Sequence, residues 1–361
     1  MSALIGMTEA ELERLCEALG ESPYRGRQVA RWMYQRVAAS FDEMTDLPKP
    51  LRARLGESHT VRAGEVMVRK RAADGTVKLG ICFPPESVVE CVLIPARRRA
   101  TVCVSTQVGC PVGCQFCATG QGGFERNLRW QEIVEQILAC AAVWRQTVSA
   151  PGDLRQAPLN VVYMGMGEPM LNYRNTVRSI RFVREHVGLG SRSITVSTLG
   201  FPDRIRQFAQ DEPQVNLAIS LAAPSDELRA RLAPGLRGKA RRVEELMSAA
   251  RDYVRATNRR ISFEYVLLRD VNSRLRHAHR LADLLRDFAE GLSPGAVHVN
   301  LIPYNETGGP FERPSVQELE TFRRALQRRG VHATVRAPRG DDVCGACGQL
   351  RGWATQAAPR G

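Results

Sequence analysis

The chain has 361 residues, enough for two or three structural units and for a large buried core. Hydrophobic residues make up 43% and charged residues 25%, which excludes a disordered chain, and no apolar run approaches the ~20 residues that a membrane-spanning helix requires. With 51 Lys and Arg against 38 Asp and Glu, the net charge of +13 points to a polyanionic partner, and a start that turns acidic early makes the cytoplasm the expected location, with no membrane partner.

The first ~55 residues read as short helices. Leu12, Leu15 and Leu19 form one stripe, and Val29, Trp32 and Met33 form another, ringed by Arg25, Arg27, Arg31 and Arg36. From about 58 to 95 the pattern turns strand-like, with Asp74-Gly75 as a hairpin turn and a β-rich run from Val88 to Ile94. Beyond Arg99 six apolar strand segments follow, at 100–104, 159–164, 193–198, 215–220, 261–268 and 297–302. Helical stripes lie between most of them, among them Trp130, Ile133, Val134, Ile137 and Leu138, then Val243, Leu246, Met247 and Ala250. Ser315 and Glu318 make an S-x-x-E capping box before a last helix. Strand–helix repeats with near-continuous apolar strands imply an α/β fold, a parallel sheet covered by helices, either open or closed into a barrel. Both forms bind ligands at the carboxyl ends of the strands.

Ten cysteines in a chain of this size suggest metal or redox chemistry rather than a disulfide framework. Cys16 and Cys140 fall in helical stripes and read as core. Cys110, Cys114 and Cys117 form a C-x-x-x-C-x-x-C loop directly after the first strand of the repeat. Three thiolates at this spacing hold three irons of a [4Fe–4S] cluster and leave the fourth without a protein ligand, whereas structural zinc wants four closed ligands. Cys344 and Cys347 form a separate C-x-x-C pair near the end. The stretch Arg229–Arg242, with Arg97–Arg99, Arg336 and Arg339, reads as solvated cations available to phosphates.

The cysteine loop, its place after strand one and Phe116 before the last cysteine resemble the radical S-adenosylmethionine (radical SAM) superfamily. The likeness extends to RATVCVSTQVGCPVGCQFCATGQGGFERNL, VVYMGMGEP, VNLIPYN and VRAPRGDDVCGACGQL, and to YRGRQVARWMYQRVAASFDEMTDLP near the start. Over residues 20–353 the chain resembles the RlmN/Cfr family of RNA adenine methyltransferases. That resemblance implies a partial (βα)6 TIM-like barrel of radical SAM type, with a small helical N-terminal accessory domain and a β-rich connector. The implied boundaries are 1–57 for the accessory RNA-binding domain, 58–95 for the connector, 96–342 for the core and 343–361 for a C-terminal segment bearing a methyl-accepting cysteine.

The resemblance also implies one [4Fe–4S] cluster on Cys110, Cys114 and Cys117, and two SAM molecules per turnover. The SAM contacts it implies are Gly167 and Glu168, Ser197, Ser220, Leu221 and Ala222, and Asn305; the family usually has His where Ala222 stands. Cys347 becomes the methyl carrier, Cys103 the thiol that resolves an RNA–protein crosslink through a transient disulfide, and Glu90 the proton acceptor. The implied activity is methylation of adenine carbon 2 in 23S rRNA and tRNA, with carbon 8 as the alternative, by a monomer served by an electron donor such as flavodoxin.

Overall fold

The computed structural model describes residues 1–97, 99–148 and 158–351. Arg98, one of the expected phosphate contacts, and positions 352–361 of the expected C-terminal segment lie outside the described residues.

The N-terminal stripes become helices. Thr8 and Glu11 form a capping box at the start of α1 (Glu9–Ala18), and Ser22 caps α2 (Pro23–Tyr34), which begins with proline. After α3 (Lys49–Ser58), a parallel pair of two-residue strands, β1 (Ser2–Ala3) and β2 (His59–Thr60), ties the beginning of the chain to its exit. Three antiparallel strands follow: β3 (Glu65–Arg71), β4 (Val77–Phe83) and β5 (Ser87–Pro95). The β3–β4 turn forms where expected, with the Thr76 amide donating to the Asp74 carboxylate and Gly75 at φ +86°.

β5 also pairs antiparallel with β6 (Ala100–Cys103), which opens the parallel series. A small hairpin of β7 (Gln107–Gly109) and β8 (Phe124–Asn127) brackets the cysteine loop and its short helix α4 (Ala118–Gln121). Then come α5 (Trp130–Val148), β9 (Leu159–Tyr163), α6 (Tyr173–Phe182), β10 (Ile194–Thr198), α7 (Pro202–Asp211), β11 (Asn216–Ser220), α8 (Asp226–Leu232), α9 (Val243–Thr257), β12 (Ile261–Leu267), α10 (Leu275–Ala289) and β13 (Val297–Pro303). The Ser315–Glu318 capping box starts α11 (Val316–Arg328) as predicted, and β14 (Ala333–Val335) adds a seventh parallel strand at the edge.

All of these strands except β1, β2, β7 and β8 form one ten-stranded sheet in the order β14-β13-β12-β11-β10-β9-β6-β5-β4-β3. Because β14 and β3 are its two edges, the sheet is a curved, unclosed barrel wall rather than a ring. The apolar residues fall on one face: Val161, Val196, Leu217, Phe263 and Val299 are wholly buried in the main core, each contributing roughly 1.5–3 kcal/mol by burial. The strands are less uniformly apolar than their sequence suggests. Alternate positions, including Thr101, Ser197, Ser220 and Glu264, are polar and line an internal cavity. A wall that faces a ligand space on one side reverts to alternation.

Arg229 departs from its expected surface position. It is wholly buried, and its guanidinium donates to the carbonyls of Leu221, Leu199 and Ala240. It gathers chain segments just beyond β10 and β11, so its five donors serve the fold rather than a phosphate.

Candidate active site

The carboxyl ends of β6 and β9–β13 open into a cavity of about 250 Å³. All three cysteines of the C-x-x-x-C-x-x-C loop line it. Gly109 makes the loop possible: at φ +74°, a Cβ there would lie 2.0 Å from the Gly123 carbonyl, so only glycine lets β7 turn into the loop against β8. Cys110 and Cys114 pack among Val112, Leu199, Ala222, Ala233 and Leu236, and burial pushes the Cys110 thiol up to about 12 and Cys114 well above its ordinary value. Such thiols stay neutral unless a cationic group takes them as thiolates. Among the described residues, no three His, Cys, Asp or Glu side chains converge tightly enough to hold a single metal ion. Three sulfurs lining one cavity suit an iron–sulfur group with three protein ligands.

Gly167 and Glu168 follow β9 beside these thiols and line the same cavity. A Cβ on Gly167 (φ +98°) would lie 2.6 Å from the Gln107 side chain. Glu168 is buried; the amides of Leu199 and Met170 donate to its two oxygens at 2.8 and 3.0 Å. Burial raises its carboxyl above the ordinary value, and these amides oppose the rise. About four acceptor sites per carboxylate leave room for an ammonium group as well. Ser197 and Ser220 line the cavity with hydroxyls 3.3 Å apart, and Ala222 joins them at φ +62°. Leu221 turns into the core instead and is not among the residues of the cavity wall.

The two cysteines expected to act on a methyl group meet here. Cys103, at the end of β6, and Cys347, in the loop beyond β14, line the one cavity. Cys347 is exposed and lines the cavity. Burial pushes its thiol up to about 11 despite the nearby Arg336, and pushes Cys103 up to about 12, with the neighbouring Cys347 adding to the rise. Asn305 donates to the Cys347 carbonyl at 3.0 Å, and Ala118, one residue past the cluster loop, donates to the Gly348 carbonyl at 2.8 Å. Cys344 is not part of the cavity wall.

Glu90 lies elsewhere. It is buried on β5, paired with Lys78 at 2.9 Å, and accepts the Arg351 amide at 2.7 Å; it is not among the residues of the cavity wall. Glu264 of β12, which sequence reasoning passed over, does line the cavity. It accepts from Asn300 at 2.8 Å and pairs with Arg336 at 3.4 Å, and burial raises its carboxyl. The signal was a charged residue at an inward strand position, indistinguishable in sequence from a solvated one. Arg336 therefore serves the interior as well as its expected role near the carrier loop. Outside, Arg27, Arg31, Arg97 and Arg99 are exposed, while Arg36 stacks on Trp32 at 4.4 Å. Cys91 and Cys140 are a buried pair of free thiols 3.6 Å apart, on the opposite face of β5 from Glu90.

Comparison with known proteins agrees with this geometry. Residues 2–61 match the ribosomal RNA large subunit methyltransferase N-terminal domain, and residues 104–282 match the radical SAM superfamily. A probable dual-specificity RNA methyltransferase RlmN of Gloeobacter violaceus is 44% identical, over 96% of this chain and 94% of its own. Its counterpart in Thermosynechococcus vestitus is 43% identical, over 96% and 98%. The crystal structure of a radical SAM methyltransferase from Sphaerobacter thermophilus superposes with a TM-score of 0.87 at 43% identity, covering 98% of this chain and all of the other.

Proposed function

Because the chain belongs to the RlmN family of radical SAM RNA methyltransferases, we propose that it methylates carbon 2 of adenine in 23S rRNA and in tRNA, by way of a methyl group first placed on Cys347. The observation that carries this reading is the sharing of one cavity by Cys103, Cys347 and the three cysteines of the cluster loop. The enzyme uses a [4Fe–4S] cluster and S-adenosylmethionine; Cys110, Cys114 and Cys117 would hold the cluster. When bound, the two groups supply an electrophilic methyl and a carbon radical able to abstract hydrogen. Glu168, Gly167, Ser197, Ser220, Asn305 and the main chain at Leu221 and Ala222 would hold SAM, with the carboxylate of Glu168 suited to its ammonium.

Carbon 2 of adenine is an electron-poor sp² carbon and cannot attack a methyl group as a nucleophile, so the protein presents the carbon on a sulfur. Cys347 accepts a methyl group as thiolate and, once the carbon–carbon bond to the base exists, is joined to RNA by an S–CH2 link. The proton displaced from carbon 2 passes to a base; the family resemblance gives that role to Glu90, which in this structure stands outside the cavity wall, paired with Lys78. Cys103 then attacks the Cys347 sulfur as thiolate. The S–CH2 bond breaks with its electron pair going to carbon, that carbon takes a proton to become the methyl group, and the two sulfurs are left as a disulfide. A thiol reductant returns them to the starting state.

The proposal assigns RNA contact to residues 1–57, a connector to 58–95, the radical core to 96–342 and the methyl carrier to 343–361. A flavodoxin-type electron donor, a monomeric state and a cytoplasmic location complete it. Among the described residues no helix is long and apolar enough to cross a membrane. Mass spectrometry of digested rRNA and tRNA, with and without the enzyme, tests the reading. 2-Methyladenosine is the expected product; 8-methyladenosine, or none, overturns it.

A further inference from the structure

The loop that carries Cys347 has almost no regular structure of its own, with one short 3-10 turn at Asp341–Val343 and left-handed residues at Gly340, Cys344 and Gly348. Cys344 is not glycine, so its φ of +51° must be imposed by surrounding contacts. Side-chain contacts from outside the loop come from the antiparallel part of the sheet. Lys78 on β4 lies opposite Val92, and Glu90 on β5 lies opposite Gly80, so the two side chains project from one face as diagonal neighbours. They form an ion pair of 2.9 Å with only 2% and 3% of each side chain exposed. The Lys78 ammonium donates to the Cys344 carbonyl at 3.3 Å, and the Glu90 carboxylate accepts the Arg351 amide at 2.7 Å. One buried pair thus grips the loop by main-chain atoms on both sides of Cys347.

A buried ion pair is weak evidence for stability, since a well-packed apolar pair of similar volume does as well or better; its attested use is to fix register. We propose that Lys78 is a positioning residue for the methyl-carrier step, acting with Glu90 as a clamp that fixes both ends of the Cys347 loop. The proposal rests on the reading of Cys347 as methyl carrier only for its consequence; the clamp itself is a statement about the loop. Gripping the main chain at positions 344 and 351 leaves the Cys347 side chain facing the cavity, where Asn305 holds its carbonyl. Without the clamp the loop keeps its cavity-side bonds but loses its outer support, and the sulfur samples positions from which it cannot be loaded.

The test uses the cluster-loaded full chain. Lys78→Met removes the ammonium, and Lys78→Met/Glu90→Leu removes both charges, so that no lone buried carboxylate confuses loosening with unfolding. Amide hydrogen exchange over positions 343–351 is expected to speed up at least about tenfold in the double variant, with exchange in β9–β12 and cluster absorption unchanged. Uptake of labelled methyl from SAM onto Cys347 is expected to slow by about tenfold, as misplacement of a reacting atom does, with Lys78→Arg recovering part of the loss. A folded double variant with wild-type exchange in the loop overturns the clamp. So does a loosened loop that is methylated at the wild-type rate, which removes the positioning role. Failure of the wild type itself to take methyl at Cys347 overturns the carrier reading instead, and leaves the exchange result to judge the clamp.

Discussion

Cys114 is 5% exposed and sits among Leu199, Ala222, Ala233 and Leu236, in a loop entered from one strand of a hairpin and left by a helix. Cys347 faces the same cavity from a loop held by hydrogen bonds: the Asn305 amide on its own carbonyl, Ala118 on Gly348, Thr119 on Leu350, and the Lys78–Glu90 pair on either side. The first loop is held by apolar packing, and the second is docked chiefly by main-chain hydrogen bonds, with Leu350 as its apolar anchor in the main core. Apolar burial is insensitive to small displacements, whereas a hydrogen bond weakens steeply with angle and distance. A resident metal group calls for the first kind of support. A sulfur that must take a methyl, bond to RNA and then meet a second sulfur calls for the second.

The comparison breaks most sharply in the cluster loop. Cys114→Ala is expected to abolish iron content, visible charge-transfer absorption and SAM cleavage together; iron analysis and chromatography of SAM products check this, and persistent cleavage would show that the loop is not the cluster site. In the carrier loop, Cys347→Ala is expected to keep the cluster but take up no labelled methyl and form no product. Cys103→Ala separates the two sulfurs of the cavity. It is expected to load Cys347 and attack the base, then accumulate RNA bound to the protein, visible as a shifted band that nuclease collapses. Cys344→Ala, outside the cavity wall, is expected neither to trap RNA nor to relieve the trap in Cys103→Ala.

Smaller effects sharpen the contrast. Gly340→Ala puts a side chain at φ +66°, with its Cβ 2.7 Å from Thr76; by strain alone it costs about 1–2 kcal/mol. Because the carrier loop is docked rather than packed, most of that loss is expected as local opening in hydrogen exchange rather than as a lower global melting temperature. A pH-dependent effect concerns the seat of the antiparallel strands. Glu135 on α5 accepts the amides of Ala63 and Gly64, just before β3, and burial lifts its carboxyl from 4.5 to about 7. A raised folded-state value means the folded protein keeps a proton that the unfolded chain releases. Its stabilising contribution is fully present below pH ~4.5 and is lost as pH rises through ~7. Melting temperature is therefore expected to fall more for the wild type than for Glu135→Gln between about pH 5 and pH 8.

The packed loop was legible in sequence and the docked one only in part. Cysteine spacing, the Asp74-Gly75 turn and the Ser315 capping box are local signals, and each produced the local structure it implied. The six parallel strands were also legible, because their short, near-continuous apolar runs stand apart from the longer striped helices between them. What escaped depends on register between distant segments. Nothing near Lys78 marks it as the partner of Glu90 or of a carbonyl 266 residues away. Arg229 looks like its exposed neighbours until the strand ends whose carbonyls it satisfies are in place. Glu264 sits at an inward position that becomes visible only when β13 supplies Asn300 and the residue after β14 supplies Arg336.

The long reach of those contacts also sets an order of assembly on the ribosome that builds this chain. The Lys78–Cys344, Arg351–Glu90 and Thr119–Leu350 bonds join segments 266, 261 and 231 residues apart, so the anchoring groups emerge long before the loop they hold. Domains fold as units, the first-made before the later ones, so the N-terminal helices can take shape early, while the cavity is complete only once Cys347 has been made. Translation closes the carrier side of the cavity last, and a chain cut short after Val335 would lack both Cys347 and the main-chain atoms that Lys78, Glu90 and Thr119 hold.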